Sequence, residues 1–338
     1  MKVQKVRFNE LFTLENGNSL PEVTIAFHTC GSLNEKRDNV IWVCHALTAN
    51  SNVAEWWPGM LGKGLLFDPD IHFIICANIL GSCYGSTGPA SINPETGERY
   101  GKDFPLVTVR DIVKGHQLLR NHLGINKIHL ITGGSLGGQQ ALEWAYYEPG
   151  LFEYLVPIAT NAVASPWGIA FNESQRMALE SDPDFIAGRF TEKSAGLRAA
   201  RSIALISYRN GHTYNKTQED PDSDKLENFK VSSYQQYQGL KLEKRFDAFS
   251  YYAMTKALDS QNIGRGRGGV EAALKQISTQ THAIGIKTDL LFPLEEQIRI
   301  ANGIPGAKFT EIDSFYGHDG FLLEFEAITT VIKDFIKR

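Results

Sequence analysis

The stretch 127–149 constrains the fold of this chain more than any other part of its sequence. An apolar run leads into Gly-Gly-Ser-Leu-Gly-Gly at 133–138, and a helical pattern follows until a proline ends it. This is the strand–turn–helix context of a G-x-S-x-G motif, in which a serine on a strained turn exposes its hydroxyl at the top of a sheet. Side chains at Gly133 and Gly137 would collide with the neighbouring strand and helix. The motif therefore predicts that Ser135 is a nucleophile.

The bulk properties of the chain exclude several classes of protein. Its 338 residues suit one large α/β domain with an insertion, or two domains. The formal net charge of −4 gives no indication of binding to nucleic acid or to an anionic membrane. No apolar run approaches the roughly 18 residues of a membrane span, and the first residues lack the apolar core of a signal peptide. We therefore expect a cytoplasmic protein.

The cysteines do not suggest a disulfide framework or a metal site. All four lie in the first quarter of the chain, and no C-x-x-C pair occurs among Cys30, Cys44, Cys76 and Cys83. Three of them follow or lie within strand-like runs. The sequence therefore predicts buried free thiols and no metal.

Strand and helix patterns alternate along most of the chain, which predicts an α/β fold with a mostly parallel central sheet flanked by helices. Alternating apolar and polar residues predict antiparallel strands near the start, and continuously apolar runs predict strands covered on both faces. The predicted strands are 3–8, 22–29, 40–44, 73–77, 128–132, 154–160, 282–287 and 308–312. The predicted helices outside the region 161–280 are 105–123, 139–145, 293–302 and 323–336.

Between residues 161 and 280 this alternation lapses into a mostly helical stretch. Candidate helices are 173–179, 196–209 and 270–276, and the polar run 215–224 is predicted to be an exposed loop. We expect this region to be a lid inserted into the α/β core. The predicted division is thus a core of residues 1–160 and 281–338, with a helical lid at 161–280.

The order of polar residues after the serine predicts the rest of a catalytic triad. In folds with this elbow the acid and then the histidine follow the serine, each on a loop after a successive strand. Asp289 follows the predicted strand 282–287, and His318 lies in a glycine-flanked loop after the next strand. The other two histidines after the serine lie in the lid and at the start of a strand. Asp313 is a rival acid, but it lies only five residues before His318 on the same connection.

These residues predict an acyl-serine enzyme. His318 would take the proton of Ser135 during attack on a carbonyl, and Asp289 would orient the imidazole. The backbone N–H groups of Leu136 and Leu47 would stabilise the oxyanion, since Leu47 lies in the loop that leaves the carboxyl end of strand 40–44. His45, in the same loop, precedes the serine and is expected to pack beneath the loop. The motif leaves open whether water or another nucleophile discharges the acyl group.

Several further segments carry a more specific signal, and together with the elbow they resemble the homoserine O-acetyltransferase family. The resemblance runs from the N-terminal strands to the last helix. The segments are His45-Ala46-Leu47-Thr48, residues 78–99, residues 133–138 with Ala141-Leu142-Glu143-Trp144, Tyr237-Gln238-Gly239, Arg245-Phe246-Asp247-Ala248, residues 264–269 and Tyr316-Gly317-His318-Asp319.

The resemblance implies an α/β-hydrolase fold with a helical lid, and a homodimer joined through lid helices. It implies ping-pong transfer of an acetyl group from acetyl-CoA to Ser135 and then to the hydroxyl of L-homoserine, an early step towards methionine, with no permanently bound cofactor and no metal. The matching positions give Ser135, Asp289 and His318 as the triad. They also give Arg209 and Asp319 as contacts for the amino acid, and a guanidinium suits its carboxylate as a carboxylate suits its ammonium.

Departures from the family pattern keep alternatives open. The family commonly has methionine where this chain has Gln139, near the expected acyl-binding wall, and another aliphatic residue or methionine at Leu136. Homoserine O-succinyltransferase and serine O-acyltransferase differ by a few pocket side chains, and an ester or thioester hydrolase would use the same triad.

The stretch 264–269 also matches G-x-G-x-x-G, but no buried strand precedes it. It is expected to form a turn whose arginines face a carboxylate or CoA phosphates.

Overall fold

The computed structural model describes residues 2–337, and its centre is an eight-stranded sheet with the order β1-β4-β6-β5-β7-β8-β9-β10. A small antiparallel pair, β2 with β3, lies apart from it. The strands are β1 (Gln4–Phe8), β2 (Phe12–Thr13), β3 (Ser19–Leu20), β4 (Val23–Cys30), β5 (Val40–Cys44), β6 (Phe73–Ala77), β7 (Ile128–Gly134), β8 (Phe152–Ile158), β9 (Gln280–Ile286) and β10 (Lys308–Ile312).

In the sheet order, all pairs from β6 to β10 are parallel, whereas β4 pairs antiparallel with both of its neighbours, β1 and β6. All five residues of β5 are buried, as expected for a central parallel strand with both faces covered. The mostly parallel sheet predicted from the sequence is confirmed. Because parallel strands end at one edge of a sheet, the loops after β5, β7, β9 and β10 gather there.

Helices cover both faces of the sheet and fill the interval between β8 and β9. The helices are α1 (Val53–Trp56), α2 (Val109–Leu123), α3 (Leu136–Tyr147), α4 (Pro166–Glu180), α5 (Pro183–Ile186), α6 (Ala195–Tyr208), α7 (Gly211–Thr217), α8 (Lys230–Glu243), α9 (Ala248–Asp259), α10 (Val270–Leu274), α11 (Leu294–Gly303), α12 (Gly320–Leu323) and α13 (Phe325–Ile336). In residues 2–337, no helix has the length and apolar character needed to cross a membrane.

Apolar side chains form a separate core on each face of the sheet. On one face Trp42 from β5 packs edge-on against Trp144 from α3, with ring centroids 4.8 Å apart. On the other face Trp57 packs against Phe321 and donates its indole N–H to the carbonyl of that residue over 2.9 Å. Burial of aromatic side chains of this size contributes strongly to stability. The sheet that carries the site is thus held from both sides.

The helices α4 to α10 occupy the region predicted to be a lid. Helices α4, α6 and α8 pack side by side, and α4 and α6 also contact α9. Helix α4 starts earlier than the predicted helix 173–179, because the Ser165 side chain caps its first turn by accepting the N–H of Gly168 over 3.2 Å. Helices α8 and α9 were not predicted individually from the sequence.

Several predicted boundaries differ from those of the structure, and three of the differences involve the helices α2, α7 and α13. Helix 105–123 begins at Val109, because Thr108 and Asp111 form a reciprocal capping box at its start. The polar run 215–224 is not wholly a loop, since its first three residues belong to α7. The closing helix predicted at 323–336 begins at Phe325, after the short helix α12.

Candidate active site

Ser135 lies between the last residue of β7 and the first residue of α3, in a backbone conformation that side chains rarely adopt. Its φ is 59° and its ψ is −127°. Such a conformation costs about 1–3 kcal/mol and persists only where the surroundings impose it. Here the Ser135 N–H donates to the carbonyl of Ile158 over 3.0 Å, and its carbonyl accepts from the Thr160 hydroxyl over 2.7 Å. The serine is therefore fixed from both sides of its peptide backbone.

The two glycines of the motif are required by close packing against β5. A Cβ atom at Gly133 would lie 2.5 Å from the carbonyl oxygen of Cys44, and a Cβ atom at Gly137 would lie 2.1 Å from the same oxygen. Both distances are well below van der Waals contact. The predicted crowding at these positions is confirmed, and it explains why the turn tolerates no side chains there.

Asp289 and His318 come together at the carboxyl edge of the sheet. Their loops follow β9 and β10, and His318 Nδ1 lies 2.6 Å from Asp289 Oδ2, with both side chains buried. The other carboxylate oxygen of Asp289 accepts the N–H groups of Leu291 and Phe292 over 2.8 and 2.9 Å. These bonds fix the carboxylate, which in turn orients the imidazole. Within residues 2–337, the rival Asp313 forms no hydrogen bond with His318.

Ser135 and His318 line one cavity of about 280 Å³, together with Leu47. The Ser135 hydroxyl does not hydrogen-bond to His318 in this conformation of residues 2–337. Such bonds often tighten only in the complex with substrate. Across the same described residues, neither the Leu47 N–H nor the Leu136 N–H finds an acceptor in the chain. Two backbone donors are thus available beside the serine.

The two predicted amino-acid contacts, Arg209 and Asp319, form an ion pair with each other. Arg209 Nη1 lies 2.9 Å from Asp319 Oδ2, and both side chains are about four-fifths buried. Asp319 lines the cavity, whereas Arg209, at the end of α6, is not among the described residues that line it. A Cβ atom at Gly317 would lie 3.0 Å from the backbone of Arg209, so the loop that carries His318 packs directly on the end of this helix.

Three cavity-lining residues from α4–α10 were missed by reasoning from the sequence. They are Arg201, Tyr208 and Arg245. The Arg201 guanidinium lies 5.1 Å from the centre of the Tyr208 ring, and Arg245 Nη1 donates to the hydroxyl of Tyr84 over 2.6 Å. Arg201 and Tyr208 are seven positions apart on a predicted helix, a spacing that places two side chains on one face. That spacing was the available signal.

His45 is a structural residue, as predicted. Its Nδ1 donates to the carbonyl of Ala46 over 2.8 Å, and its Nε2 accepts the N–H of Ile79 over 3.2 Å. Burial lowers the pKa of His45 to about 4, so the ring is neutral near pH 7. A neutral ring with both nitrogens engaged supports the loop that presents Leu47.

The glycine-rich stretch 264–269 forms a turn whose arginines bind carboxylates. Arg265 lies 2.9 Å from Glu15, and Arg267 pairs with the buried Glu143 of α3. Of the two expected alternatives, the carboxylate partners are the ones observed. Gln139 stands where the family commonly has methionine. Its side chain donates to Asn161 over 2.8 Å and is not among the residues that line the cavity with Ser135.

Comparisons with known proteins identify the fold and the family of the chain. Residues 39–325 match the family model described as the alpha/beta hydrolase fold. The chain is 48% identical to a homoserine O-acetyltransferase of Cyclobacterium marinum, over 96% of this chain and 93% of that protein. It superposes on the crystal structure of a homoserine O-acetyltransferase from Bacillus anthracis with a TM-score of 0.92, 26% identity, and coverage of 100% of this chain and 98% of the other.

An acetylester hydrolase from Corynebacterium glutamicum is also similar in structure. Its TM-score is 0.89 at 23% identity, with coverage of 100% of this chain and 96% of that one. At that identity the likeness extends to the fold alone. It illustrates that this fold accommodates hydrolases as well as transferases.

Proposed function

The chain belongs to the homoserine O-acetyltransferase family, within the α/β-hydrolase fold, and from that membership we propose that it transfers an acetyl group from acetyl-CoA to the hydroxyl of L-homoserine. The single structural observation that supports its acyl-serine chemistry is the arrangement around the elbow. A strained serine shares its cavity with a histidine that is 2.6 Å from a buried carboxylate. The product would be an activated homoserine on the way to methionine.

In the first half of the proposed reaction, Ser135 Oγ attacks the thioester carbonyl of acetyl-CoA and His318 takes its proton. Asp289 stabilises the imidazolium that forms. The Leu47 and Leu136 N–H groups stabilise the tetrahedral oxyanion; removing one such donor typically costs about 2.7–4 kcal/mol. The C–S bond then breaks, and the CoA thiol leaves with the proton from His318. The acetyl group remains as an ester on Ser135, so no permanently bound cofactor is needed.

In the second half, the hydroxyl oxygen of L-homoserine attacks the ester carbonyl and His318 accepts its proton. The bond to Ser135 Oγ breaks, and the serine regains a proton from the imidazolium. We propose that Arg209 contacts the carboxylate of the amino acid and that Asp319 contacts its ammonium. This is supported by the place of Asp319, which lines the cavity one residue after His318.

The region 161–280 is proposed to act as a lid that admits an amino acid and limits the access of water. A transferase needs this, because water at the acyl-serine would give hydrolysis. The support is that Arg201, Tyr208 and Arg245 from this region line the cavity together with residues of the core. Use of acetyl-CoA, an intracellular metabolite, goes with a cytoplasmic location.

We also propose that the protein is a homodimer joined through the lid. Large apolar side chains are exposed on several lid helices, as expected of a surface that another copy covers. They include Trp167, Met177, Ile186, Ile206, Tyr237 and Leu240. Met177→Glu should shift the sedimentation coefficient from that of a dimer to that of a monomer. A wild-type monomer at micromolar concentration would contradict the proposal.

Thiol release from acetyl-CoA and from succinyl-CoA, each with and without L-homoserine or L-serine, tests the proposed reaction. We expect release that depends on homoserine and favours acetyl-CoA. Preference for succinyl-CoA or for serine would keep the mechanism and change the substrate. Release that is indifferent to either amino acid would instead identify a thioesterase.

A further inference from the structure

The loop that presents the Leu47 N–H is a tight turn in which one peptide group is hydrogen-bonded to another. The Ala49 N–H donates to the carbonyl of Ala46 over 3.1 Å and closes residues 46–49 into this turn. The Ala46 carbonyl and the Leu47 N–H belong to one peptide group, and the Ala49 N–H shares a second peptide group with the Thr48 carbonyl. The position of the Leu47 donor is therefore tied to the position of the Thr48 carbonyl.

The Thr48 carbonyl accepts a hydrogen bond from the lid. The donor is Nη1 of Arg245, which lies between α8 and α9 and lines the cavity with Ser135. The same nitrogen donates to the hydroxyl of Tyr84 over 2.6 Å. Among the residues that the structure describes, no other lid residue hydrogen-bonds to residues 46–49. Arg245 is thus the direct polar link between the lid and this turn.

Two further contacts hold Arg245 against residues 78–89 of the core. The ring of the next residue, Phe246, packs edge-on against the Tyr84 ring, with centroids 5.6 Å apart. The thiol of Cys83 donates to the backbone carbonyl of Arg245 over 3.7 Å. The backbone and the guanidinium of Arg245 are therefore both anchored to the core, and its bond to the turn is held in one place.

We propose that Arg245 is a positioning residue for the oxyanion hole, which it serves by orienting and polarising the Leu47 N–H through the two peptide groups of residues 46–49. This inference rests on the proposed function and adds a lid residue to its acyl chemistry. Hydrogen bonds in a chain polarise one another, and a charged donor gives a bond roughly twice as strong as a neutral one. A cation at the Thr48 carbonyl therefore makes the Ala49 N–H a better donor, and that bond makes the Leu47 N–H a better donor to an oxyanion.

A guanidinium at the cavity would also suit the phosphates of CoA, and kinetics separate the two roles. An oxyanion forms when acetyl-CoA acylates Ser135, and another forms when homoserine removes the acetyl group. Loss of the contact between Arg245 and the turn therefore lowers the rate constants of both steps at saturating substrate. Loss of a phosphate contact would instead raise the concentration of acetyl-CoA that half-saturates the enzyme.

The test compares Arg245→Met, which keeps an apolar stem, with Lys244→Met, a matched control at the preceding residue. Lys244 is exposed and is not among the residues that line the cavity. Tyr84→Phe is a second variant, which removes an acceptor that holds the guanidinium and keeps the charge. Rapid-quench experiments at saturating substrate measure the rate constants of acylation and of transfer to L-homoserine. Titrations give the half-saturating concentrations of acetyl-CoA and of homoserine.

Arg245→Met should lower both rate constants by about 10- to 100-fold, less than the roughly 100- to 1,000-fold effect of removing an oxyanion donor outright, with both half-saturating concentrations changed less than about threefold. Tyr84→Phe should lower both rate constants by about 2- to 10-fold, because the bond to Thr48 remains. Lys244→Met should change neither.

Unchanged rate constants in Arg245→Met, a fall confined to one of the two steps, or a comparable fall in Lys244→Met would overturn the role of Arg245. So would a raised half-saturating concentration of acetyl-CoA with both rate constants intact. If Arg245→Met does not fold, the two rate constants of Tyr84→Phe decide the question. Wild-type protein that transfers no acetyl group to homoserine would instead overturn the proposed function itself.

Discussion

The core and the lid contribute to one cavity in different ways. The core supplies Ser135, Asp289 and His318 from strand ends, where backbone hydrogen bonds and burial fix each group. The lid supplies the side chains of Arg201 and Arg245, which are longer and more exposed. The groups proposed for the acyl chemistry are thus fixed by strand ends, whereas the proposed contacts for the acceptor come partly from the helices laid over the sheet.

The two regions are joined by a buried ion pair and by packing. Arg267, at the end of the lid, pairs with Glu143 on the elbow helix, and Arg110 of α2 lies 3.3 Å from the same carboxylate. On the other side, the end of α6 packs on the loop of His318 through Gly317. Changes in the core should therefore affect chemistry, changes in the lid helices should affect the acceptor, and changes at the junction should affect stability.

The largest effect is expected for Ser135→Ala, which removes the proposed nucleophile from the core. The value of kcat/KM should fall by about 10⁴- to 10⁶-fold, as for other serine nucleophiles, while the unfolding free energy stays near that of wild type. Steady-state thiol release measures kcat/KM, and urea unfolding measures the unfolding free energy. Ser174→Ala on the exposed face of α4 is the control, and activity of Ser135→Ala within tenfold of wild type would refute the assignment.

At the junction, Arg267→Gln should destabilise the protein by about 3 kcal/mol at neutral pH, because it leaves Glu143 buried with only Arg110 nearby. Burial raises the pKa of Glu143, and the ion pair stabilises only the ionised carboxylate. The difference in unfolding free energy between wild type and Arg267→Gln should therefore shrink as the pH falls through that raised pKa and Glu143 is protonated. Urea unfolding across pH 4 to 8 measures this. A difference in unfolding free energy that does not change with pH would contradict a stabilising role of the ion pair between Arg267 and Glu143.

In the lid, Arg209→Ala should raise KM for homoserine by about 10- to 100-fold, since a charged contact is lost and Asp319 is left without its partner. First-turnover thiol release should be spared, because acylation does not involve the acceptor. Measuring KM for homoserine and first-turnover thiol release in one preparation separates binding of the acceptor from acylation. An unchanged KM would remove Arg209 from the acceptor site.

The smallest effect concerns the cap of α7. The side chain of Asn210 accepts the N–H of Thr213 over 2.9 Å, so Asn210→Ala should lower the unfolding free energy by about 1 kcal/mol. Asn215→Ala, on the exposed part of the same helix, should change it by less than about 0.5 kcal/mol. Equal effects of the two variants in urea unfolding would show that the cap does not stabilise this helix.

The core could be predicted from the sequence because its signals are local. The run Val40–Cys44 is continuously apolar, as a strand covered on both faces requires, and the elbow has its glycines where Cys44 approaches. The order of Asp289 and His318 along the chain follows from the order of strands. Each of these inferences needs only neighbouring residues and one rule of topology.

The lid could not be predicted to the same depth because its signals are tertiary. Helix α8 contains Gly239, which weakens a helical pattern, yet a Cβ atom there would lie 2.8 Å from the carbonyl of Arg198 on α6. Close packing of α8 on α6 therefore explains Gly239, although a glycine at this position lowers the helical propensity of the sequence. Helix α9 is buried on most sides and shows no apolar stripe. Likewise, the spacing of Arg201 and Tyr208 puts them on one face of a helix, but only the structure shows that this face lines the cavity.

The most direct test of the acyl-serine mechanism is the mass of the protein after incubation with acetyl-CoA in the absence of an acceptor. The acyl-serine mechanism predicts an added acetyl group that peptide mapping locates on Ser135. This group should be absent from Ser135→Ala, and L-homoserine should discharge it far faster than water does. Acetylation at another residue, or thiol release with homoserine but no acylated intermediate in rapid-quench samples, would contradict the proposed acyl-serine mechanism.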